Sequence, residues 1–496
     1  MKQDLRYQPR HARHSTRRGG ASPPSRRRRW SALVALFAVP ILVAIAVAVG
    51  ASGVLDRSVS QVGGLPRTPV SVVPATSGLL PSGRPPSAAA LPRHRLTVRS
   101  HPAGASLRLG TPDGSTRTVR TPFKGRVAEG RVELTLRLKG YNPLTEYVDL
   151  RKNRTLDLWL DPAGLLHHQL DQFKVGPAPK QVAFTPDGDE LWVTDLGGDG
   201  VEVYDAQSGK RLGDVSLADK GAVEVIFTDD GATAYVSQMQ TASVYEIDTA
   251  TREVKRHLFT SGSWSKVMAL SPEEQTLFVA NWVSDDVSQI DLVTGKEVRR
   301  FPTVDTPRGL YVTPNGKRLY VAGFESGEIQ RFDLRTLESK VLIRTGGAMR
   351  HLVGDPVRGL LYADDMAQDK VFVVDLATGK ARMLARTDNT PNTIDLSPDG
   401  RVLYVSNRGR NNPKSYYLPG PEWGSVLAID TATGKPLDAI VGGNQTTGLD
   451  VSDDGRFLAF SDFLDNRVTI FAIPDLDLLL SGDGGRYRAH LADLAK

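Results

Sequence analysis

The sequence predicts an all-β protein in which a seven-bladed β-propeller follows one transmembrane helix and a small N-terminal β-sandwich. Three observations support this prediction. A unit of about 42 residues recurs seven times between residue 165 and residue 496. Polar and apolar residues alternate in short runs between residues 94 and 162, which is typical of half-buried antiparallel strands. Ahead of both regions, residues 30–55 contain no charged side chain.

The N-terminal region has the pattern of a membrane anchor. Residues 1–29 form a basic tail with ten Lys and Arg residues and one acid, Asp4. The uncharged run 30–55 is long enough to cross a bilayer, and the positive-inside rule keeps the tail in the cytoplasm. We therefore expect a single-pass protein of the cytoplasmic (inner) membrane whose bulk is extracytoplasmic or periplasmic. A cleaved signal peptide is the alternative, because residues 49–51 are small.

Composition excludes several function classes. The formal net charge is +6, but residues 31–496 hold 52 bases against 55 acids, so the basic character belongs to the tail and no nucleic-acid partner is expected. The absence of Cys excludes disulfides, thiol catalysis and thiolate metal sites. Residues 56–93 contain seven prolines without sustained periodicity, which predicts an extended linker.

The alternating region 94–162 resembles a known module. It contains the string Pro102-Ala103-Gly104-Ala105, and Gly140-Tyr141 follows a long predicted strand. This pattern is similar to the PEGA domain, although Ala103 stands where that family usually has Glu. The resemblance implies an extracytoplasmic accessory or surface-binding module that is not catalytic.

The region 165–496 consists of seven units. Each unit has four predicted strands, which we label A to D in chain order. An apolar strand A is followed by a turn like Pro-Asp-Gly, a strand B like Leu-Tyr-Val, a strand C that ends in Asp, and a fourth strand D. The terminal Asp residues are separated by 43, 43, 42, 42 and 55 positions, at Asp205, Asp248, Asp291, Asp333, Asp375 and Asp430. This period indicates propeller blades. Either residues 169–175 or residues 474–496 could supply the strand that closes the ring.

The strings Leu-Tyr-Val-Ser-Asn at 403–407 and Trp-Val-Thr-Asp at 192–195 resemble the YVTN family of seven-bladed propellers. All seven units match this pattern. The resemblance implies the fold, but its relatives include surface-layer and binding proteins, lactonases and subunits of redox enzymes, so it leaves the function open.

The rim that carries the B–C and D–A loops is the predicted binding surface. Four of the A strands begin with a cation, at Lys180, Lys266, Arg308 and Arg350. His351, which follows Arg350, is a further candidate. They could hold an anionic or hydroxyl-rich ligand over the channel. Alternatively, they could neutralise acids of the same rim and only stabilise neighbouring blades.

The sixth unit carries the one long insertion, residues 408–423, in its B–C loop on the same rim. Its cations and aromatic residues suit recognition of a polymer or protein surface, and the candidates are Arg408, Arg410, Tyr416, Tyr417 and Trp423. The alternative is an ordinary surface loop whose aromatic side chains pack on the neighbouring blade.

Oxygen-bearing side chains end five B strands on this rim, at Asp195, Asn281, Asp365, Asn407 and Asp462. No cofactor is expected, but these oxygen ligands would suit Ca²⁺, and a metal there would permit a lactonase-type hydrolase. We assign no catalytic residue. The expected function is non-enzymatic binding or scaffolding, in which the rim engages a protein or glycan of the cell envelope. The alternatives are that hydrolase and an accessory subunit of an envelope redox complex.

Overall fold

The computed structural model describes residues 91–481 and 485–496. The basic tail, the apolar run 30–55 and nearly all of the linker lie outside these residues. Two short helices, α1 (Leu476–Ser481) and α2 (Leu491–Leu494), occur in the described part, and none of its helices is long and apolar enough to cross a membrane. This finding corrects the predicted location, a single pass through the cytoplasmic membrane.

The N-terminal module is a sandwich of two sheets. Its seven strands are β1 (Arg93–His101), β2 (Ser106–Gly110), β3 (Thr116–Arg120), β4 (Phe123–Ala128), β5 (Gly130–Arg137), β6 (Leu144–Leu150) and β7 (Arg154–Trp159). One sheet has the order β4-β1-β7 and the other has the order β3-β2-β5-β6. Alternate residues such as Leu96, Leu107 and Leu134 are fully buried between the sheets, as the period of two predicts.

Seven four-stranded antiparallel sheets follow, one for each predicted unit. Blades 1 to 3 comprise β9 (Pro179–Phe184), β10 (Glu190–Asp195), β11 (Gly200–Asp205), β12 (Arg211–Ser216), β13 (Ala222–Phe227), β14 (Thr233–Gln238), β15 (Ser243–Asp248), β16 (Glu253–Phe259), β17 (Ser265–Leu270), β18 (Thr276–Asn281), β19 (Asp286–Asp291) and β20 (Lys296–Pro302). Blades 4 to 6 comprise β21 (Pro307–Val312), β22 (Arg318–Gly323), β23 (Glu328–Asp333), β24 (Ser339–Arg344), β25 (Met349–Asp355), β26 (Leu360–Asp365), β27 (Lys370–Asp375), β28 (Ala381–Arg386), β29 (Pro391–Leu396), β30 (Val402–Asn407), β31 (Ser425–Asp430) and β32 (Pro436–Val441). Blade 7 comprises β33 (Thr446–Val451), β34 (Phe457–Asp462), β35 (Arg467–Ala472) and an outer strand, β8 (His168–Lys174).

The ring is closed by β8, which precedes blade 1 in the chain and pairs antiparallel with β35. Of the two candidates for this role, the structure therefore uses the N-terminal one. Helix α1 instead packs on β32, and its Leu479 is fully buried in the core shared by blades 6 and 7. Joining both ends of the domain in one sheet gives blade 7 its outer strand, so that β35 is paired on both sides.

A buried aromatic side chain occupies the third B-strand position in six of the seven blades, at Trp192, Tyr235, Phe278, Tyr320, Tyr362 and Tyr404, whereas blade 7 has Ala459 there. The Trp192 indole lies in a cluster with Val225 and Val236 of blade 2 and meets the Phe227 ring edge-on at 5.4 Å. The tyrosine of the repeated Leu-Tyr-Val string is therefore a packing residue between blades.

Candidate functional site

The candidate site lies where the A strands begin and the B strands end. In all seven blades the A–B pairing is irregular at this point, and in blade 4 the pairs Pro307–Gly323 and Leu310–Val321 leave one extra residue on the A strand. Such a bulge bends a strand and redirects its side chains. It falls at the second A-strand position, which holds the predicted cations.

Two of the predicted cations lie close together in the channel with a third from the insertion. Arg308, Arg350 and Arg408 are 8%, 6% and 3% exposed. Burial lowers the pKa of Arg350, and the positive charges of Arg308 and Arg408 lower it further. Among the described residues, neither Arg308 nor Arg350 has an acidic oxygen within 4.0 Å of its guanidinium group.

Two buried carboxyl groups share this environment, and sequence reasoning missed both. Burial raises the pKa of Glu224 to about 7, and the charges of Arg308 and Arg350 oppose this shift. Burial likewise raises the pKa of Asp364 to about 7, while its Oδ1 accepts the backbone N–H of His351 at 2.6 Å. Glu224 belongs to blade 2, so it acts on the arginines of blades 4 and 5 across the channel.

His351 is held as a neutral side chain. Burial and the charges of Arg308 and Arg350 lower its pKa to about 4. Its Nδ1 lies 3.1 Å from the carbonyl oxygen of Ile394 in the next blade. The imidazole therefore joins two blades and is uncharged at neutral pH.

The predicted lysines lie against aromatic rings. Lys266 is buried over the ring of Trp282 and also faces Trp264, whereas Lys180 lies 5.2 Å from the centre of the Phe463 ring. Cations in this arrangement are attracted to the ring faces.

The rings of Trp282 and Phe463 belong to a second missed feature, the residue directly after each B strand. Its backbone N–H donates to the D–A loop at 2.9–3.1 Å in every blade, from Leu196, Met239, Trp282, Phe324, Met366, Arg408 and Phe463. Six of the seven are apolar or aromatic. The signal was readable in the sequence, because each immediately follows the end of the repeated B-strand string.

The insertion folds onto the channel mouth. The ring of Tyr416 lies 4.0 Å from the guanidinium of Arg408 and 5.7 Å from the Phe463 ring, and its carbonyl accepts Gln445 Nε2 at 2.7 Å. Tyr416 therefore packs on the neighbouring blade, whereas Tyr417 is 47% exposed.

The remaining loop candidates contact the end of the loop itself and the C-terminal residue. Arg410 pairs with Glu422 at 2.7 Å, and the Trp423 ring lies 4.3 Å from Nζ of Lys496. The C-terminal residues thereby hold the base of the loop.

The oxygen-bearing residues that end the B strands, Asp195, Asn281, Asp365, Asn407 and Asp462, belong to five different blades. The contacts of two show their local role. Asp365 accepts the backbone N–H of Ala348 at 2.8 Å, and Asp462 accepts that of Gly443 at 2.8 Å and pairs with Arg467. Asp365 and Asp462 thereby hold the D–A loop that leads into their own blade.

Within residues 91–481 and 485–496, no group of three or more His, Asp or Glu side chains is arranged to hold a metal ion. Oδ1 of Asp195 is buried without a hydrogen-bond partner in the described part of the chain. Burial and, to a smaller extent, the charge of Glu202 raise the pKa of Asp195 to about 8. The calcium site stays a prediction.

Asp395 and Asp450 face each other from the A strands of blades 6 and 7 and share a hydrogen bond between their side chains, which requires one proton. Asp395 accepts the N–H of Val451, and Asp450 accepts the N–H of Phe184 in blade 1. The pair therefore links three consecutive blades. Burial raises the pKa of Asp395 to about 6, and burial with the charge of Asp395 raises the pKa of Asp450 further.

We expect Asp450→Asn to weaken the pH dependence of stability. Because both pKa values are raised, the folded chain holds protons that the unfolded chain releases above about pH 4, so the pair's contribution to stability falls as pH rises toward 7. The variant should gain roughly 1–3 kcal/mol relative to the wild type between pH 4.5 and 7.5. Urea unfolding at three pH values measures this difference, and parallel pH profiles would contradict it.

Comparison with known proteins agrees with this architecture. A family model described as "Lactonase, 7-bladed beta-propeller" matches residues 163–350, and a PEGA domain model matches residues 93–162. The two predicted resemblances are thereby confirmed, with the propeller model carrying the name Lactonase in place of YVTN.

A curated relative and a solved structure extend the comparison. Antigen Lp49 of Leptospira interrogans serogroup Icterohaemorrhagiae serovar copenhageni (strain Fiocruz L1-130) is 36% identical over 358 residues, which cover 69% of this chain and 78% of that protein. Kuenenia stuttgartiensis hydrazine synthase is 20% identical with a TM-score of 0.53, over 60% of this chain and 96% of that chain, and this likeness shows the fold alone. The chain belongs to the family of Antigen Lp49 and combines a PEGA domain with a seven-bladed β-propeller of the lactonase type.

Proposed function

We propose that the protein is a non-enzymatic binding protein that uses the loop rim of its propeller to hold a glycan chain or a protein segment. The main support is the state of Trp282. Its ring is half-buried beside Trp264 at 6.0 Å and Phe324 at 6.1 Å, and its buried Nε1–H has no hydrogen-bond partner among the described residues. Buried indole N–H groups normally have a partner, so a ligand acceptor would complete this site.

The backbone supports the same surface. Trp264 has a φ of 62°, and the residues at the same place before the A strand in four other blades are left-handed too, at Ala178, Thr306, Thr390 and Gln445. This conformation therefore belongs to the repeated turn, and in blade 3 the turn carries an aromatic ring that lies 6.0 Å from the Trp282 ring. Rigid aromatic rings bury much area for little lost entropy, which makes them effective binding anchors. The exposed Tyr417 and Leu418 extend this surface along the insertion.

Replacing Trp282 with alanine tests the proposal. We expect biolayer interferometry of the full chain to detect binding to at least one of three probes: a polyuronate, a neutral dextran and unfolded casein. Trp282→Ala should weaken that binding roughly tenfold or more, because a central aromatic anchor contributes about 2 kcal/mol. Tyr147→Ala, which removes an aromatic ring that is 55% exposed on the N-terminal module, serves as the control. Equal binding by wild type and Trp282→Ala would contradict the proposal.

Lactone hydrolysis is the second candidate. The match to the lactonase model and the raised pKa values of Glu224 and Asp364 support it, since carboxyl groups that titrate near pH 7 can transfer protons. A pH-stat assay with glucono-δ-lactone tests it. Turnover that is lost in Glu224→Gln would favour the enzyme over the binding protein.

A further inference from the structure

Three consecutive blades place a nitrogen-bearing side chain at the second position of the A strand. These residues are Arg308 in β21, Arg350 in β25 and Asn392 in β29, and they are 8%, 6% and 2% exposed. Two of their donors, Arg308 Nη1 and Asn392 Nδ2, are buried without a hydrogen-bond partner among the described residues. An unmade hydrogen bond of this kind costs about 1–3 kcal/mol, and more for a charged group.

The guanidinium group of Arg350 makes few polar contacts with the described residues. Its Nε donates to the backbone carbonyl of Asn392 at 3.0 Å, and its Nη1 lies 3.7 Å from Sδ of Met366, which is a weak acceptor. Two buried guanidinium groups that repel each other therefore have no carboxylate within 4.0 Å among the described residues. Buried charges are normally paired, and isolated ones are strongly destabilising.

Within residues 91–481 and 485–496, no carboxylate lies in direct contact with the guanidinium groups of Arg308 and Arg350. Arg408 adds a third positive charge that acts on both arginines. The charges of Glu224 and Asp364 act on Arg308 from more than 4.0 Å away, and Oδ2 of Asp364 has no hydrogen-bond partner among the residues that the structure describes. The side of the channel formed by blades 4 to 6 is thus rich in donors and positively charged.

We propose that Arg308, Arg350 and Asn392 form an oxyanion seat that holds a carboxylate or phosphate group of the ligand. Guanidinium groups bind either oxyanion through paired N–H donors, and the Asn392 amide adds a further donor. The proposal deepens the proposed function and rests on it, because this seat lies beneath the same rim. It assigns the ligand an acidic class, such as a uronate-bearing glycan or a phosphorylated partner.

Thermal unfolding of the full chain tests the seat with sodium glucuronate and inorganic phosphate as probes. Sodium chloride at matched ionic strength and neutral glucose are the reference solutes. A ligand that binds only the folded state raises the melting temperature in a saturable way. We expect such a rise with at least one probe, and the better probe identifies carboxylate or phosphate as the preferred group.

Arg308→Gln should abolish this rise and should leave the melting temperature without anion unchanged or higher, because it removes a buried unpaired charge. Arg382→Gln, which removes an exposed arginine from the outer strand of blade 5, should keep the full rise. Asn392→Ala removes a hydrogen-bond donor without changing the charge, and it should weaken binding of the better probe about three- to tenfold.

The proposed seat would be overturned if the melting temperature of the wild type showed no saturable rise with either probe. It would also be overturned if Arg308→Gln and Asn392→Ala showed the same rise as the wild type. These outcomes are separable from failure of the proposed function. If polymer binding depends on Trp282 but no anion raises the melting temperature, the seat is overturned and the proposed function stands. An anion effect that needs Arg308 would support the seat even where no polymer binds.

Discussion

Asp438→Ala should lower the free energy of unfolding by about 3–5 kcal/mol, because a buried carboxylate that joins three parts of the chain is lost. Asp438 is fully buried in β32. Its Oδ2 accepts the backbone N–H of Leu166 at 2.8 Å and lies 2.9 Å from Nδ1 of His167, and its Oδ1 accepts the N–H of Arg486 at 3.0 Å. The segment that follows the PEGA domain and the C-terminal region are thus both fastened to blade 6.

Urea unfolding of Asp438→Ala at pH 7 measures this loss, and Asp477→Ala is the control because Asp477 has a side chain that is 92% exposed. Burial opposes the charge of Asp438, but the hydrogen bond and charge of His167 lower its pKa overall. Its contribution is therefore complete above about pH 4 and is lost as the pH falls further. A variant that unfolds at the wild-type urea concentration would contradict this role.

Trp192→Ala should cost about 3–5 kcal/mol, the range observed when a large aromatic side chain is removed from a core. The indole is fully buried between blades 1 and 2, and its Nε1 donates to Glu190 Oε2 at 3.0 Å. Truncation would leave a cavity lined by Phe227 and Val225, which β-sheet backbones cannot close by small movements.

The measurement is again the urea midpoint, followed by both tryptophan fluorescence and far-ultraviolet circular dichroism so that a local transition in blade 1 is recognised. Leu212→Ala removes an apolar side chain that is 41% exposed on the outer strand of the same blade, and it should change stability by less than about 1 kcal/mol. Equal effects of the two substitutions would refute interblade packing by Trp192.

Most of the propeller was readable from the repeat, because a fold assembled from similar units repeats its turns and its packing residues in the sequence. The blade count and the rim that carries the loops followed from strand order. The structure shows all-β architecture with propeller-like sheets, whereas the predicted transmembrane helix falls outside the described residues.

The candidate site was readable only in part. The A-strand positions of Arg308 and Arg350 follow from the repeat, but their closeness to Arg408 depends on how the insertion folds, which no period encodes. Glu224 was missed because it lies one residue beyond the position at which cations recur, and the bulge brings both positions into the channel region. Of the side chains that end the B strands, Asp365 and Asp462 accept backbone N–H groups of the adjacent D–A loops, which are contacts that the repeat alone does not predict.

Closure by β8 has a consequence for the order in which the chain can fold. Gln172 of β8 and Thr469 of β35 hydrogen-bond across 297 positions of sequence. During synthesis, β8 emerges before any blade, yet its partner is made only after six blades are complete. Contacts of such long separation form slowly, and until then β8 presents an unpaired strand edge that other chains could capture. The time from ribosome to closed ring is therefore the interval in which this protein is most exposed to misassembly.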